Sequence, residues 1–232
     1  MGYSPAAFFT ISQEFDFIQR KRLFMKKGIF TVALWVLMSV SVAAAPSLQG
    51  STGLINTQSA DVLQAGQLTL GFDRLREGSA QNIVMGIAPQ LEMGATRIHY
   101  NAGVGDKMLF NAKYALLPEQ VITPGISIGV EDALNQNKRT DYIAVSKTLP
   151  FGFRLHAGAG NGRYSGAFAG IEKTISPGSF LTGPNIFPAT TLIAEYDGNA
   201  MNYGIRLAII PGLKIEGGVR SHAAYYGINF TI

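Results

Sequence analysis

Cysteine is absent from the 232 residues, and charged side chains make up only 15% of them. The chain can therefore form no disulfide, no thiolate metal site and no cysteine nucleophile. The three histidines, His99, His156 and His222, have no second histidine at metal-ligand spacing, and no Gly-Lys-Ser/Thr phosphate loop occurs. We therefore predict no metal, no cofactor and no catalytic residues, and do not expect an enzyme.

An apolar run lies near the start of the chain, where Lys26 and Lys27 precede residues 29–42 and three alanines follow. A basic start, a short apolar centre and small residues at the end are typical of a secretory signal peptide. We predict a signal peptide over residues 25–44, cleaved after Ala44. Residues 1–24 would then be an extension upstream of a true start at Met25. An uncleaved anchor is the alternative.

The basic excess of the chain belongs to this leader. Five of the 19 basic and two of the 15 acidic residues lie within residues 1–45, which leaves 14 basic and 13 acidic residues after it. No basic stretch remains to bind a phosphate backbone, so nucleic acid is not expected as a partner.

After Pro46, apolar residues recur at every second position, as Leu68, Leu70 and Phe72 illustrate. This period predicts about twelve strands of roughly ten residues, enough for a tilted strand to cross a membrane. The strands are expected near residues 66–75, 81–88, 91–100, 107–117, 125–134, 140–149, 153–162, 166–175, 190–198, 201–210, 213–221 and 224–232. Their connections alternate between proline-containing and polar types. We predict an all-β fold, a transmembrane antiparallel up-and-down β-barrel over residues 66–232. A soluble periplasmic β-sandwich is the alternative.

Charged residues fall on the strand face opposite the apolar stripes. They are Asp73, Lys113, Glu131, Arg154, Glu172, Glu195, Arg206, Lys214, Glu216 and Arg220. Because a charge facing lipid costs about 2–4 kcal/mol at the bilayer centre, we expect these side chains to face the lumen. Mixed charges favour a restricted or plugged lumen over an open pore.

The C-terminus carries a pattern of polar, glycine and apolar residues at Tyr225, Gly227, Phe230 and Ile232. It resembles the terminal-strand signal that outer-membrane assembly machinery recognises in barrel proteins, with isoleucine in place of the usual final aromatic residue. The resemblance implies the cell outer membrane as location, with its lipid and that machinery as partners.

The stretch before the first confident strand resembles the opening motif of YjbH-domain proteins, which are outer-membrane β-barrels of diderm bacteria. The matching residues are Gly50, Gly53, Leu54, Ile55, Asn56, Thr57, Ser59, Ala60 and Gly66, and the family usually has proline where this chain has Gln58. We expect residues 45–65 to lie in the lumen as a plug or to add a short strand at the rim. The family's longer members are linked to exopolysaccharide production.

Three functions remain open from the sequence. The first is a non-enzymatic outer-membrane barrel that serves envelope structure or exopolysaccharide production or export, with polysaccharide or export components as partners. The second is a small porin-like channel for polar solutes. The third is an outer-membrane enzyme, which we disfavour because Ser221 and His222, as neighbours in a predicted strand, would face opposite ways.

Overall fold

The computed structural model describes residues 45–101, 103, 105–175 and 189–232. The predicted upstream extension, residues 1–24, and the predicted signal peptide, residues 25–44, lie outside these residues. So do residues 176–188, between the predicted strands near residues 166–175 and 190–198. Within the described part of the chain, no helix has the length and apolar character needed to cross a membrane.

Twelve strands form the fold, close to the predicted positions. They are β1 (Leu68–Leu75), β2 (Gly78–Ala88), β3 (Leu91–Tyr100), β4 (Asp106–Leu117), β5 (Gly125–Glu131), β6 (Thr140–Thr148), β7 (Phe153–Gly160), β8 (Gly166–Ile175), β9 (Ala189–Tyr196), β10 (Met201–Ile210), β11 (Leu213–Arg220) and β12 (Ala223–Thr231). Two short 3₁₀ turns lie in the connections on either side of β7, Pro150–Gly152 between β6 and β7 and Gly162–Tyr164 between β7 and β8.

Each strand pairs with its sequence neighbours, and β1 pairs with β12 to close the barrel. At this seam the backbone N–H groups of Leu68 and Ile232 each donate to the other residue's carbonyl oxygen at 2.9 Å. All pairings are antiparallel. The predicted 12-stranded up-and-down barrel is confirmed, and the β-sandwich alternative is wrong.

The alternation of side chains divides the barrel wall into an apolar exterior and a polar interior. On β1, Leu70 and Phe72 are 46% and 41% exposed, whereas Thr69 and Asp73 are 0% and 2% exposed. Exposed leucine, isoleucine, phenylalanine and methionine recur along the outer face of the other strands. An apolar outer band around a polar interior is the arrangement of a barrel surrounded by lipid.

The turns separate by type between the two rims. Pro89, Pro150 and Pro211 lie at the rim that also carries both ends of the barrel, and the two-residue β11–β12 turn lies at the other. The prediction that Ser221 and His222 belong to a strand is wrong, because both form this turn with φ values of 47° and 63°. Positive φ at both central residues is the geometry of tight hairpin turns.

Candidate functional site in the barrel lumen

Residues 45–65 lie inside the barrel, and we name this segment the plug. Its backbone turns back on itself through two isolated bridges, Pro46 with Thr52 and Gly53 with Gln58. Every residue from 50 to 60 is buried. Six backbone hydrogen bonds lie within the plug, and other buried amides of the plug, such as those of Asn56 and Leu63, are bound by side chains of the barrel wall.

Glu195 on β9 binds the tip of the plug. Its carboxylate accepts hydrogen bonds from the backbone N–H groups of Ile55, Asn56 and Thr57 at 3.1, 2.7 and 3.1 Å. The hydroxyl of Thr57 donates to it as well, at 2.7 Å. Successive amides that converge on one carboxylate form a small anion-binding concavity. The plug therefore receives a charge-assisted anchor from the wall.

A neighbouring carboxylate, Asp197, binds the side chain at the same tip. Asn56 Nδ2 donates to Asp197 at 2.7 Å, and Asn202 Nδ2 bridges Asp197 and Glu195 at 3.0 and 2.9 Å. Burial alone would raise the pKa of Asp197, but the hydrogen bonds from Asn56 and Asn202 outweigh it and lower that pKa. The group therefore stays ionised at neutral pH.

On the opposite side of the lumen, the ion pair of Glu92 and Lys113 binds the plug at Thr52 and again at Asp61 and Leu63. The pair is 3.3 Å apart, and its side chains are 1% and 0% exposed. Glu92 accepts from the backbone N–H groups of Thr52 and Leu63 at 2.8 and 3.0 Å. Lys113 donates to the carbonyl oxygens of Asp61, at 2.8 Å, and Thr52. A buried pair is stable in this setting because the plug completes its hydrogen bonds.

Arg163, in the β7–β8 connection, reaches the plug from the rim. Its guanidinium contacts Glu131 at 2.5 Å and donates to the carbonyl oxygen of Asn56 at 2.5 Å. Gln58 donates to Glu131 at 2.5 Å. Burial alone would lower the pKa of Arg163, but the adjacent Glu131 raises it above its usual range.

At the rim of the chain ends, Arg154 joins the plug to a loop. It contacts Asp61 at 2.5 Å and Glu119, in the β4–β5 connection, at 2.7 Å. Burial alone would raise the pKa of Asp61, but the hydrogen bond and the charge of Arg154 outweigh burial and lower that pKa.

Two further arginines bind the plug from β10 and β11. Arg206 donates to the carbonyl oxygen of Leu54 at 3.1 Å, and Arg220 donates to Asn56 Oδ1 at 2.8 Å.

Two glycines of the family motif are required by close approach within the lumen. Gly50 has a φ of +104°, and a Cβ there would lie 2.2 Å from Thr96 Oγ1. A Cβ at Gly53 would lie 2.3 Å from the carbonyl oxygen of Thr57. Gly66, also of the motif, lies outside the plug in the turn before β1 with a φ of +88° and open space around it.

The structure places the ten charged residues singled out from the sequence on the lumen side. Six of them bond directly to the plug: Lys113, Glu131, Arg154, Glu195, Arg206 and Arg220. Glu172 and Glu216 pair instead with Arg206, at 3.7 and 2.8 Å. Asp73 and Lys214 are buried on β1 and β11.

Sequence reasoning missed Glu92 and Arg163. Glu92 lies on β3, whose apolar alternation is weak, so its face could not be assigned. Arg163 lies in the connection between β7 and β8, where period-two alternation assigns no face. The signal for Glu92 is its register partner Lys113, which only strand pairing reveals.

The residues of the predicted terminal-strand signal divide between the two faces of β12. Tyr225 is 3% exposed and faces the lumen, whereas Phe230 and Ile232 are 42% and 66% exposed on the outside. Gly227 faces inward opposite Asp73. Within the described residues, no group of three or more His, Asp or Glu side chains is arranged to hold a metal ion.

A closed barrel with an apolar exterior and a charged, filled interior defines an outer-membrane β-barrel protein. Residues 46–180 match the YjbH family model, described as "Exopolysaccharide biosynthesis protein YbjH". This is more than half of the chain, and the protein belongs to that family. The chain is also similar to a solved structure described as "KdgM porin", with 12% identity and a TM-score of 0.48 over 71% of this chain and 97% of that one. No curated protein matches it.

Proposed function

We propose that the protein is a non-enzymatic outer-membrane barrel, closed by its own plug, that serves the production or export of an exopolysaccharide. The family description supports the link to exopolysaccharide. The observation that carries the closed state is the acceptance of three successive plug amides by Glu195. A segment held in this way fills the space that a solute would need.

The distribution of the anchors supports a plug that is part of the folded state. Side chains of β3, β4, β5, β6, β7, β9, β10 and β11 all bond to it, as does Arg163. Anchors on opposite walls hold the segment more firmly than one attachment would, because the segment leaves only when several of them break together.

Two arrangements in the lumen superficially resemble catalytic sites. Ser146 Oγ lies 2.8 Å from His156 Nδ1, and His156 Nε2 lies 3.4 Å from Glu172. Gly125-Ile-Ser-Ile-Gly129 has the spacing of a nucleophile elbow but lies within β5. Ser146 accepts the Ala60 amide at 2.8 Å, and Ser127 donates to the Ser59 carbonyl. Both hydroxyls anchor the plug, which favours a structural role over nucleophilic catalysis.

A small channel for polar solutes is the second candidate. It is favoured by the ring of charged side chains that would line the lumen if the plug withdrew. The plug joins the barrel wall covalently only through residues 66–67, so withdrawal needs no rearrangement of strands. In this version the plug is a gate.

The route to the membrane is part of the same proposal. The signal peptide of residues 25–44 directs export and is cleaved, and the terminal strand presents Phe230 and Ile232 to the assembly machinery. The partners are outer-membrane lipid, that machinery and polysaccharide-export components.

Deletion of the gene from its own bacterium, followed by complementation, tests the exopolysaccharide role. We expect less extracellular polysaccharide in the deletion strain and full recovery with the wild-type gene. A Ser146→Ala variant should restore production as well, because no nucleophile is required. Unchanged polysaccharide in the deletion strain would contradict the role, and failure of an outer-membrane-localised Ser146→Ala protein whose lumen is still closed would favour an enzyme.

A further inference from the structure

Three buried oxygens without hydrogen-bond partners lie on adjacent strands of the lumen wall where the barrel closes. They are Asp73 Oδ1 on β1, Asn82 Oδ1 on β2 and Asn229 Oδ1 on β12. Their residues are 2%, 5% and 2% exposed. Buried polar atoms normally have a partner, so three neighbouring exceptions indicate that something else binds there.

Two glycines leave the space that these oxygens occupy. Gly71 pairs with Asn82 on one side and Asn229 on the other. A Cβ at Gly71 would lie 2.3 Å from Asn82 Oδ1 and 2.4 Å from Asn229 Oδ1, so both oxygens point into the same space. Asp73 Oδ1 occupies the equivalent space over Gly227, 1.9 Å from where a Cβ would lie.

The orientation of Asn82 is determined by its neighbour. Its Nδ2 donates to Asp73 Oδ2 at 3.3 Å, and its carboxamide lies over Gly71, where a Cβ would be 2.3 Å from Oδ1 and 2.7 Å from Nδ2. The carboxylate and the Asn82 carboxamide are therefore hydrogen-bonded, the Asn229 oxygen faces Asn82 over Gly71, and the atoms left without partners are all acceptors.

The charge of Asp73 distinguishes between the possible ligands of these three residues. Among the described residues Asp73 makes no ion pair, and the Arg206 guanidinium is already paired with Glu216 and Glu172 at 2.8 and 3.7 Å. A buried carboxylate without a counter-ion is costly. A neutral donor would satisfy the hydrogen bonds but leave the charge, whereas a cation satisfies both.

We propose that Asp73, Asn82 and Asn229 bind a hard divalent cation of the calcium class at the barrel seam. Carboxylate and carboxamide oxygens are the ligands that Ca²⁺ uses, with variable geometry at about 2.3–2.6 Å. The cation would join β1, β2 and β12 and so stabilise the strand pair that closes the barrel.

Thermal unfolding of the full chain, folded in detergent micelles and treated with chelator, tests the site. Adding CaCl2 should raise the Tm by a few °C relative to NaCl of equal ionic strength. Asp73→Asn should abolish this rise. Asp141→Asn should retain it, because Asp141 is exposed on β6 and pairs with Arg139 at 3.0 Å.

A second variant covers the case in which Asp73→Asn fails to fold. Asn229→Asp adds a carboxylate to the site and should lower the Ca²⁺ concentration at half-effect by about tenfold or more. An unchanged midpoint would overturn the proposal. So would a wild-type Tm that is indifferent to Ca²⁺, which is the result expected if a water molecule or a protonated Asp73 completes the group.

Discussion

Glu195 accepts hydrogen bonds from both the backbone N–H and the hydroxyl of Thr57, at 3.1 and 2.7 Å, across 138 positions of sequence. The contact joins the family motif to the barrel wall. It explains why a Gly-punctuated polar stretch, which could not form a core by itself, is buried: its polar groups are paired inside the lumen.

Removing the charge of Glu195 should loosen the plug. Glu195→Gln keeps the shape but replaces charge-assisted hydrogen bonds, each worth about 1.5–3 kcal/mol, with weaker ones, and leaves an amide donor facing other donors. The chain has no cysteine, so Ser47→Cys places one reporter thiol on a fully buried plug residue. We expect maleimide labelling of that thiol to become at least about tenfold faster. Asp141→Asn is the matched control and should leave the rate unchanged.

Breaking the ion pair of Glu92 and Lys113 should be more harmful than removing it entirely. Lys113→Met leaves a buried, unpaired carboxylate and should lower the free energy of unfolding by about 3–5 kcal/mol. Adding Glu92→Gln should recover part of that loss. Urea unfolding of the single and double variants measures this coupling. Two results would show that the side chains do not act as a pair. One is a stability loss in the double variant equal to that of Lys113→Met, and the other is a loss equal to the sum of the two single losses.

Gly50→Ala and Gly66→Ala separate backbone strain from steric exclusion. Both glycines have positive φ, but only a Cβ at Gly50 meets another atom within the lumen, at 2.2 Å from Thr96 Oγ1. Strain alone costs about 1–2 kcal/mol, so Gly66→Ala should destabilise slightly. Gly50→Ala should in addition speed labelling of the Ser47→Cys thiol. Equal labelling rates in the two variants would contradict the position assigned to Gly50.

Acidification should weaken the plug through Asp61 and Asp197. The hydrogen bonds and charges described above hold both pKa values below the ordinary 3.8. Carboxylates with a lowered pKa in the folded state contribute stability that is complete above the unfolded pKa and is lost as pH falls through the folded one. We expect the contribution of these two groups to be constant from pH 7 to about 5 and to decrease below about 4. In urea titrations, Asp197→Asn should show a smaller decrease than the wild type over that acidic range.

Much of the barrel could be predicted from period-two alternation, because each strand has one face toward lipid and one toward the lumen. The turn at Ser221 and His222 could not, since it lacks the Asn-Gly or Asp-Gly pair that marks such turns. The charged face of the wall was also predictable. The hydrogen-bond partners of these charged residues were not predictable. The bonds between Glu195 and residues 55–57, for example, depend on where a separate segment of the chain lies in three dimensions.

The central claim is that the plug closes the lumen, and single-channel recording in planar bilayers tests it most directly. The full chain should give no steady current, while deletion of residues 47–63 or the Glu92→Gln, Glu195→Gln double variant should give a steady conductance. Steady open current from the wild-type protein would contradict the account. So would a folded deletion variant that remains closed.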